Sequence, residues 1–218
     1  NTNISTQDLL ADNQELGLPY AQRTSFIDDS NISNLRADYS QKIGQGTFET
    51  GYKGVLRLST NDFKQENQVS GVFQEVANRS GVLEFDEQIH ALYALYKGEL
   101  GKSGAARWEY EVGLRAEQTL NNGKVPSLNI EFENQYFNLF PNISLGYKLT
   151  ESQTIRVIYG RRINRPRLRQ FNPYTDITDS LTQRAGNPNL QPELTDNFEL
   201  TYAINFTKAA FVAKAYYR

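Results

Sequence analysis

The sequence predicts an all-β fold, an antiparallel transmembrane β-barrel, and two patterns predict it. Apolar and polar residues alternate with period two in long runs, the signature of a strand whose two faces meet different surroundings. The connections between those runs alternate strictly between short turns and long polar loops, as in bacterial outer-membrane barrels with short periplasmic turns and long extracellular loops.

Residues 1–29 are polar and turn-rich and read as a loop or linker, so the barrel portion is expected at 30–218. In the first run Leu35, Ala37 and Tyr39 alternate with Arg36, Asp38 and Ser40. Beyond Gly44-Gln-Gly46, Phe48, Tyr52, Leu56 and Leu58 alternate with Glu49, Lys53 and Arg57. The segment from Ile89 to Tyr96 is apolar on both faces and is the least clear strand. Trp108, Tyr110, Val112 and Leu114 then alternate with Glu109, Glu111 and Arg115, Leu145 and Tyr147 with Ser144 and Lys148, and Phe198, Leu200 and Tyr202 with Glu199 and Thr201. Strands are expected at 30–43, 47–62, 83–98, 107–118, 138–149, 154–165, 194–205 and 209–218, about eight in all. Short turns fall at 44–46, 99–106, 150–153 and 206–208, and long loops at 63–82, 119–137 and 166–193. No stretch carries the 3.6-residue period of a helix, and none approaches the ~20 apolar residues of a transmembrane helix.

The mean hydropathy of −0.60 does not argue against a membrane, because lumen-facing positions of a barrel are polar. Alternation by itself fits a soluble sandwich equally well, with the apolar face turned inward. Strand length and the order of the loops favour the bilayer, as does an aromatic content rich in Tyr. A net charge of −2 gives no sign of nucleic-acid binding. The absence of cysteine removes disulfides and thiolate chemistry without identifying a compartment.

Catalytic signals are nearly absent, so no enzyme and no cofactor is expected. The single histidine, His90, cannot build a multi-histidine metal site. Gly98-Glu-Leu-Gly-Lys-Ser103 imitates the end of a phosphate-binding loop, but Tyr96 stands where its first glycine belongs. The carboxylates Glu109, Glu111, Glu117 and Glu199 interleave with Lys53, Arg57, Arg115, Lys148 and Arg156, as mixed-charge ladders lining a wet interior do. The cluster Arg161, Arg162, Arg165, Arg167 and Arg169, with Asn164, is the strongest charge feature. Guanidinium forks suit carboxylate and phosphate, so lipopolysaccharide, an anionic ligand or acidic loop partners remain open, beside a solvated rim paired with Asp176, Asp179 and Glu193.

One series is more specific. Tyr159-Gly-Arg-Arg-Ile-Asn-Arg-Pro166 is followed by Phe171-Asn-Pro-Tyr174, by Gly186-Asn-Pro-Asn-Leu-Gln-Pro-Glu193, and by Asn197-Phe-Glu-Leu-Thr-Tyr202. Physically, Pro166 marks a strand exit, and Pro173, Gly186-Asn187-Pro188 and Pro192 belong to a long turn-rich loop. The series resembles the barrel region of TonB-dependent outer-membrane receptors, the Bacteroidetes-type outer-membrane β-barrel family in particular. Pro166, Asn172, Pro173, Gly186, Asn187, Pro188, Pro192 and Glu193 carry that resemblance.

The resemblance implies part of a barrel of about 22 strands in the outer membrane of a Gram-negative bacterium. Its partners would be outer-membrane lipid and lipopolysaccharide, a plug domain, TonB and an unknown small ligand. Nothing in the chain matches the plug or the TonB-binding motif, so the chain is expected to be a fragment whose cut edges need further strands. Ligand capture by extracellular loops and release to the periplasm is the function implied. A non-transporting outer-membrane scaffold, adhesin or secretion-associated barrel is the alternative.

Overall fold

The computed structural model describes residues 2–7, 20–102, 105–179 and 182–218. Its strands are β1 (Thr2–Gln7), β2 (Tyr20–Ile43), β3 (Gly46–Val69), β4 (Val72–Glu75), β5 (Gly81–Lys102), β6 (Ala105–Val125), β7 (Ile130–Thr150), β8 (Gln153–Asn164), β9 (Asp176–Asp179), β10 (Thr182–Arg184), β11 (Glu193–Asn205) and β12 (Ala210–Tyr217). A single α-helical turn, α1, covers Leu168–Phe171. Among the described residues no helix is long and apolar enough to cross a membrane. The main sheet is antiparallel and open, in the order β1-β2-β3-β5-β6-β7-β8-β11-β12, with β4 paired to the outer end of β3. Small β9 and β10 pair only with each other.

The strands are longer than the sequence suggests, and this corrects several boundaries. β2 begins at Tyr20, ten positions before the expected start, and β1 pairs with it, so 1–29 is not simply a loop. Of the expected 63–82 loop, β3 takes residues through Val69, and a two-residue turn at Ser70-Gly71, both with positive φ, leads into β4. The expected 119–137 loop is a tight hairpin. β6 runs to Val125, a short 3₁₀ turn covers Pro126–Leu128, and β7 starts at Ile130. The 99–106 turn shrinks to residues beyond Lys102, and positions 103 and 104 lie outside the described residues. The doubtful segment from Ile89 to Tyr96 sits in the middle of β5, with Ile89 and Ala91 buried on one face and Leu92 exposed on the other.

A 24-residue strand spans roughly 80 Å along its axis, and about 60 Å of height at the usual tilt, more than twice the ~25 Å apolar band of an outer-membrane barrel. The register shows what the surplus does. Along β6 the outward residues are Trp108, Tyr110, Val112, Leu114 and Ala116, and they pair across β7 with Tyr147, Leu145, Ile143, Pro141 and Leu139. The same face continues through Leu92 and Ala94 on β5, Tyr52 and Leu56 on β3, and Val157 and Leu200 on β8 and β11. Leu114 is 48% exposed, and the inward Glu117 only 4%. The apolar run on each of β6 and β7 covers the ~9–11 residues a tilted strand needs to cross a bilayer.

Beyond that band the polarity of the two faces reverses. Outward positions become Asp62, Glu84, Asp86, Asn122, Lys124, Glu131 and Glu133, while Phe63, Leu83, Phe85, Val125 and Phe132 turn inward and are buried. The strand ends therefore behave as a soluble sheet with water outside and a hydrophobic core inside. Aromatic stacking supports this core: Phe85 lies 5.1 Å from Phe171, and Phe132 5.8 Å from the same ring. Gly123 faces Phe132 across the β6–β7 pair, where the ring fills the space a side chain on Gly123 would need.

Candidate functional site: the motif loop and the inner wall

β8 ends at Asn164, and Pro166, unable to donate to a ladder, stands just past its end. The chain from Pro166 to Pro192 then folds across the inner face and reaches β3, four strand positions away in the sheet. Phe171 and Tyr174 insert into the wall cluster, Phe171 being 2% exposed. Burying a side chain of that size stabilises by about 1.5–3 kcal/mol. Polar contacts fix the loop in place. Asn172 Nδ2 donates to Asn61 Oδ1 at 2.6 Å, and Asn172 Oδ1 accepts from the Tyr174 amide at 3.0 Å. Asn134 Nδ2 donates to the Pro188 carbonyl at 2.8 Å, and Tyr174 and Ser127 share a hydroxyl contact.

The second half of the motif closes on the first. The Gly186 amide donates to Asn172 O at 2.8 Å, and the Asn187 amide to Gln170 O at 2.7 Å. A Cβ on Gly186 would lie 2.4 Å from Asn172 O and 2.5 Å from Gln170 O, both backbone atoms, so the close approach requires glycine. Asn187 Oδ1 accepts from the Asn189 amide at 2.9 Å, an Asx turn that carries the chain through Pro188. Glu193 receives Asn164 Nδ2 at 3.3 Å, tying the start of β11 to the end of β8.

The arginine cluster does not act as one patch. Arg161 faces outward and makes a two-pronged contact with Asp196, at 2.8 and 2.9 Å, which Tyr159 joins through its hydroxyl. Arg162 is exposed. Arg165 turns inward and pairs with buried Glu117. The Arg167 amide donates to Gln170 Oε1 at 2.7 Å across α1, and the Arg169 guanidinium lies 3.9 Å from the centre of the Phe26 ring. The side chains of Asp176 and Asp179 lie outside the described residues.

Below the loop, inside the apolar band, most of the expected charge ladder is paired, while Glu111 and Lys53 form no ion pair among the described residues. Glu109 meets Lys148 at 3.1 Å and also Arg156, and Arg57 meets Glu87 at 2.9 Å. Arg115 reaches Glu117 at 2.6 Å, and Lys214 reaches Glu199 at 3.0 Å. Buried charge is tolerable in pairs, and these pairs line one wall. Among the described residues no cluster of His, Asp and Glu could hold a metal ion. His90 sits outward, its Nδ1 2.7 Å from the Tyr52 hydroxyl.

A cavity of about 1090 Å³ opens between the inner face of β2 and β3 and the motif loop, bordered by Phe26, Asp28, Arg167, Arg169, Arg184 and Glu193. Arg167, Arg169 and Glu193 were legible as site candidates. Phe26, Asp28 and Arg184 were not, because they come from the expected linker and from the middle of a loop without periodicity.

The profile of the outer membrane protein β-barrel family matches residues 1–218. No curated protein matches the chain. Among solved structures, the unliganded ferric citrate transporter FecA aligns at 16% identity and TM-score 0.58, covering 85% of this chain and 27% of its own. The copper transporter OprC aligns at 12% identity and TM-score 0.59, covering 91% and 30%. The ferric yersiniabactin uptake receptor FyuA from Yersinia pestis aligns at 13% identity and TM-score 0.52, covering 91% and 29%. At these identities the likeness is one of fold, and the chain spans under a third of the length of each.

Proposed function

The chain belongs to the outer membrane protein β-barrel family, and from that premise we propose that it forms a sector of the wall and mouth of a TonB-dependent uptake receptor in the outer membrane of a Gram-negative bacterium. The observation that carries the proposal is the motif loop held against the inner wall by Asn172 and Asn61. A loop so placed stands where a solute entering from outside meets the barrel, and the extended strands above the apolar band raise that mouth well clear of the bilayer. In this reading the solute is captured by the loops and passed inward when a plug domain, energised through TonB, rearranges. The paired ladder of Glu109, Arg156, Glu117 and Arg165 gives the plug a polar wall to slide against.

The test is solute accumulation in cells that carry or lack the gene, with and without TonB. Loss of accumulation of at least one solute on deleting either gene is the expected result. An outer-membrane barrel whose removal changes no uptake would sink the transport reading in favour of a scaffold or adhesin.

A further inference from the structure

We propose that the cavity between the β2–β3 wall and the motif loop binds a small multivalent oxyanion, a polycarboxylate or polyphosphate, through Arg167, Arg169 and Arg184; the proposal rests on the receptor reading and specifies its ligand. Among the described residues the cavity is bordered by four arginines, Arg165 among them, and by two carboxylates, Asp28 and Glu193. Arg165 is already paired with Glu117, which it shares with Arg115. Asp28 accepts from Asn61, and Glu193 from Asn164, so both acids are held in place by neutral amides and keep their charge. Among the described residues Arg167, Arg169 and Arg184 form no ion pair. Three arginines without an ion pair, set against two carboxylates, leave this open-sided space a net positive charge among the described residues, which concentrates anions there.

Geometry adds to the charge. Arg169 rests its face on Phe26 at 3.9 Å, which fixes the plane and leaves the N–H edges free to fork onto a carboxylate or phosphate. Asn187 and Gln191 border the same space, and their side chains carry neutral donors. The volume lies just above the ~300–1,000 Å³ usual for small-molecule sites, enough for an anion carrying several charged groups. The position also selects the source of the anion. The cavity lies on the inner face, whereas lipid phosphates stand beside the outward face, on the far side of the wall.

The test is calorimetric titration of the protein purified from outer membranes in detergent, free of lipopolysaccharide, with citrate, pyrophosphate and neutral raffinose. At least one of the two anions binds and raffinose does not. R167Q/R184Q weakens that binding by about tenfold or more, the loss of one or two charge-assisted contacts. Its melting temperature is unchanged, since neither side chain has an ionic partner among the described residues. Arg184→Gln alone, at an exposed position, serves as the second variant and weakens binding by about threefold or more, part of one such contact. Equal binding by the variants, binding of raffinose as tight as that of the anions, no anion binding, or binding that arises only when lipopolysaccharide is added back would each overturn the proposal. Anion binding without energised uptake would instead contradict the receptor reading and leave the site standing; uptake of a solute by a protein that binds neither anion would do the reverse.

Discussion

Asn172 and Asn61, 111 positions apart in the chain, meet side chain to side chain at 2.6 Å, and Asn61 in turn donates to Asp28. This relay joins the motif loop to two strands of the wall at a buried point, Asn172 being 6% exposed. Removing one member leaves a buried partner unsatisfied, which costs about 1–3 kcal/mol. Asn172→Ala is therefore expected to lower the melting temperature in detergent and to open the loop to protease between α1 and β11. Unchanged protection of the loop would show that the relay does not hold it.

Gly186→Ala tests the closure of the motif on itself. The new methyl meets backbone oxygens of Asn172 and Gln170 that cannot swing aside, and the two amide bonds beside it must break or stretch. Overpacking of this kind costs about 1–3 kcal/mol. Gly160→Ala is the matched control, because a Cβ there meets only Pro141 O at 3.9 Å. Equal melting temperatures for the two variants would contradict the close approach at Gly186.

A charge at Leu114 tests the apolar band. Leu114→Arg places a guanidinium among Ala94 and Pro141 on the outward face and is expected to cost roughly 2–4 kcal/mol if it meets the bilayer midplane. Urea unfolding in lipid vesicles measures it. A cost below about 0.5 kcal/mol, the range of ordinary surface substitutions, would place Leu114 in water.

Above the band the outward face carries salt bridges, and one gives a pH dependence with a definite sign. Arg23 donates to Glu66 at 2.5 Å, with Lys64 at 3.4 Å, and the Arg23 hydrogen bond, its main cause, holds the Glu66 carboxyl below its ordinary value of 4.5. A carboxylate whose pKa falls on folding stabilises the fold above the unfolded value and loses that contribution as pH drops through the folded one. Glu66→Gln is thus expected to be less stable than the native protein at pH 7, by a modest amount because the pair is solvent-screened, and to converge with it as pH falls through the lowered carboxyl pKa. A difference that grew on acidification would reverse the assignment.

How much of this was legible in the sequence depended on which side of the membrane boundary a residue lies. Within the band, alternation of Trp108 to Ala116 against Glu109 to Glu117 gave the strands and the residues that share a face, since each face meets a uniform surrounding; strand length and the order of the loops were needed to turn the apolar face to the bilayer. At the boundary the two faces exchange polarity, so the pattern breaks although the strand continues. Asn121-Asn122-Gly123 then reads as turn chemistry, yet Gly123 lies in β6 because the Phe132 ring needs its space. The turn-forming role of Gly186-Asn187-Pro188 was local and could be read. The seating of Asn172 on Asn61 could not, because the contact depends on a loop crossing three strands to reach a fourth. The arginine run looked like one patch because adjacent residues in sequence were not yet assigned to opposite faces; Arg161 points out to Asp196 and Arg165 in to Glu117.

The reversal of polarity along β7 is the central claim, and spin-label accessibility scanned from Glu131 to Tyr147 in lipid vesicles tests it most directly. Labels at Leu139, Ile143 and Leu145 are expected to be open to lipid-soluble oxygen, and the label at Ser144 is not. Further up, labels at Glu131 and Glu133 should be open to a water-soluble relaxant, with the label at Phe132 shielded from both. Lipid access at Ser144 with Leu145 shielded, or aqueous access at Phe132 with Glu133 shielded, would contradict the account.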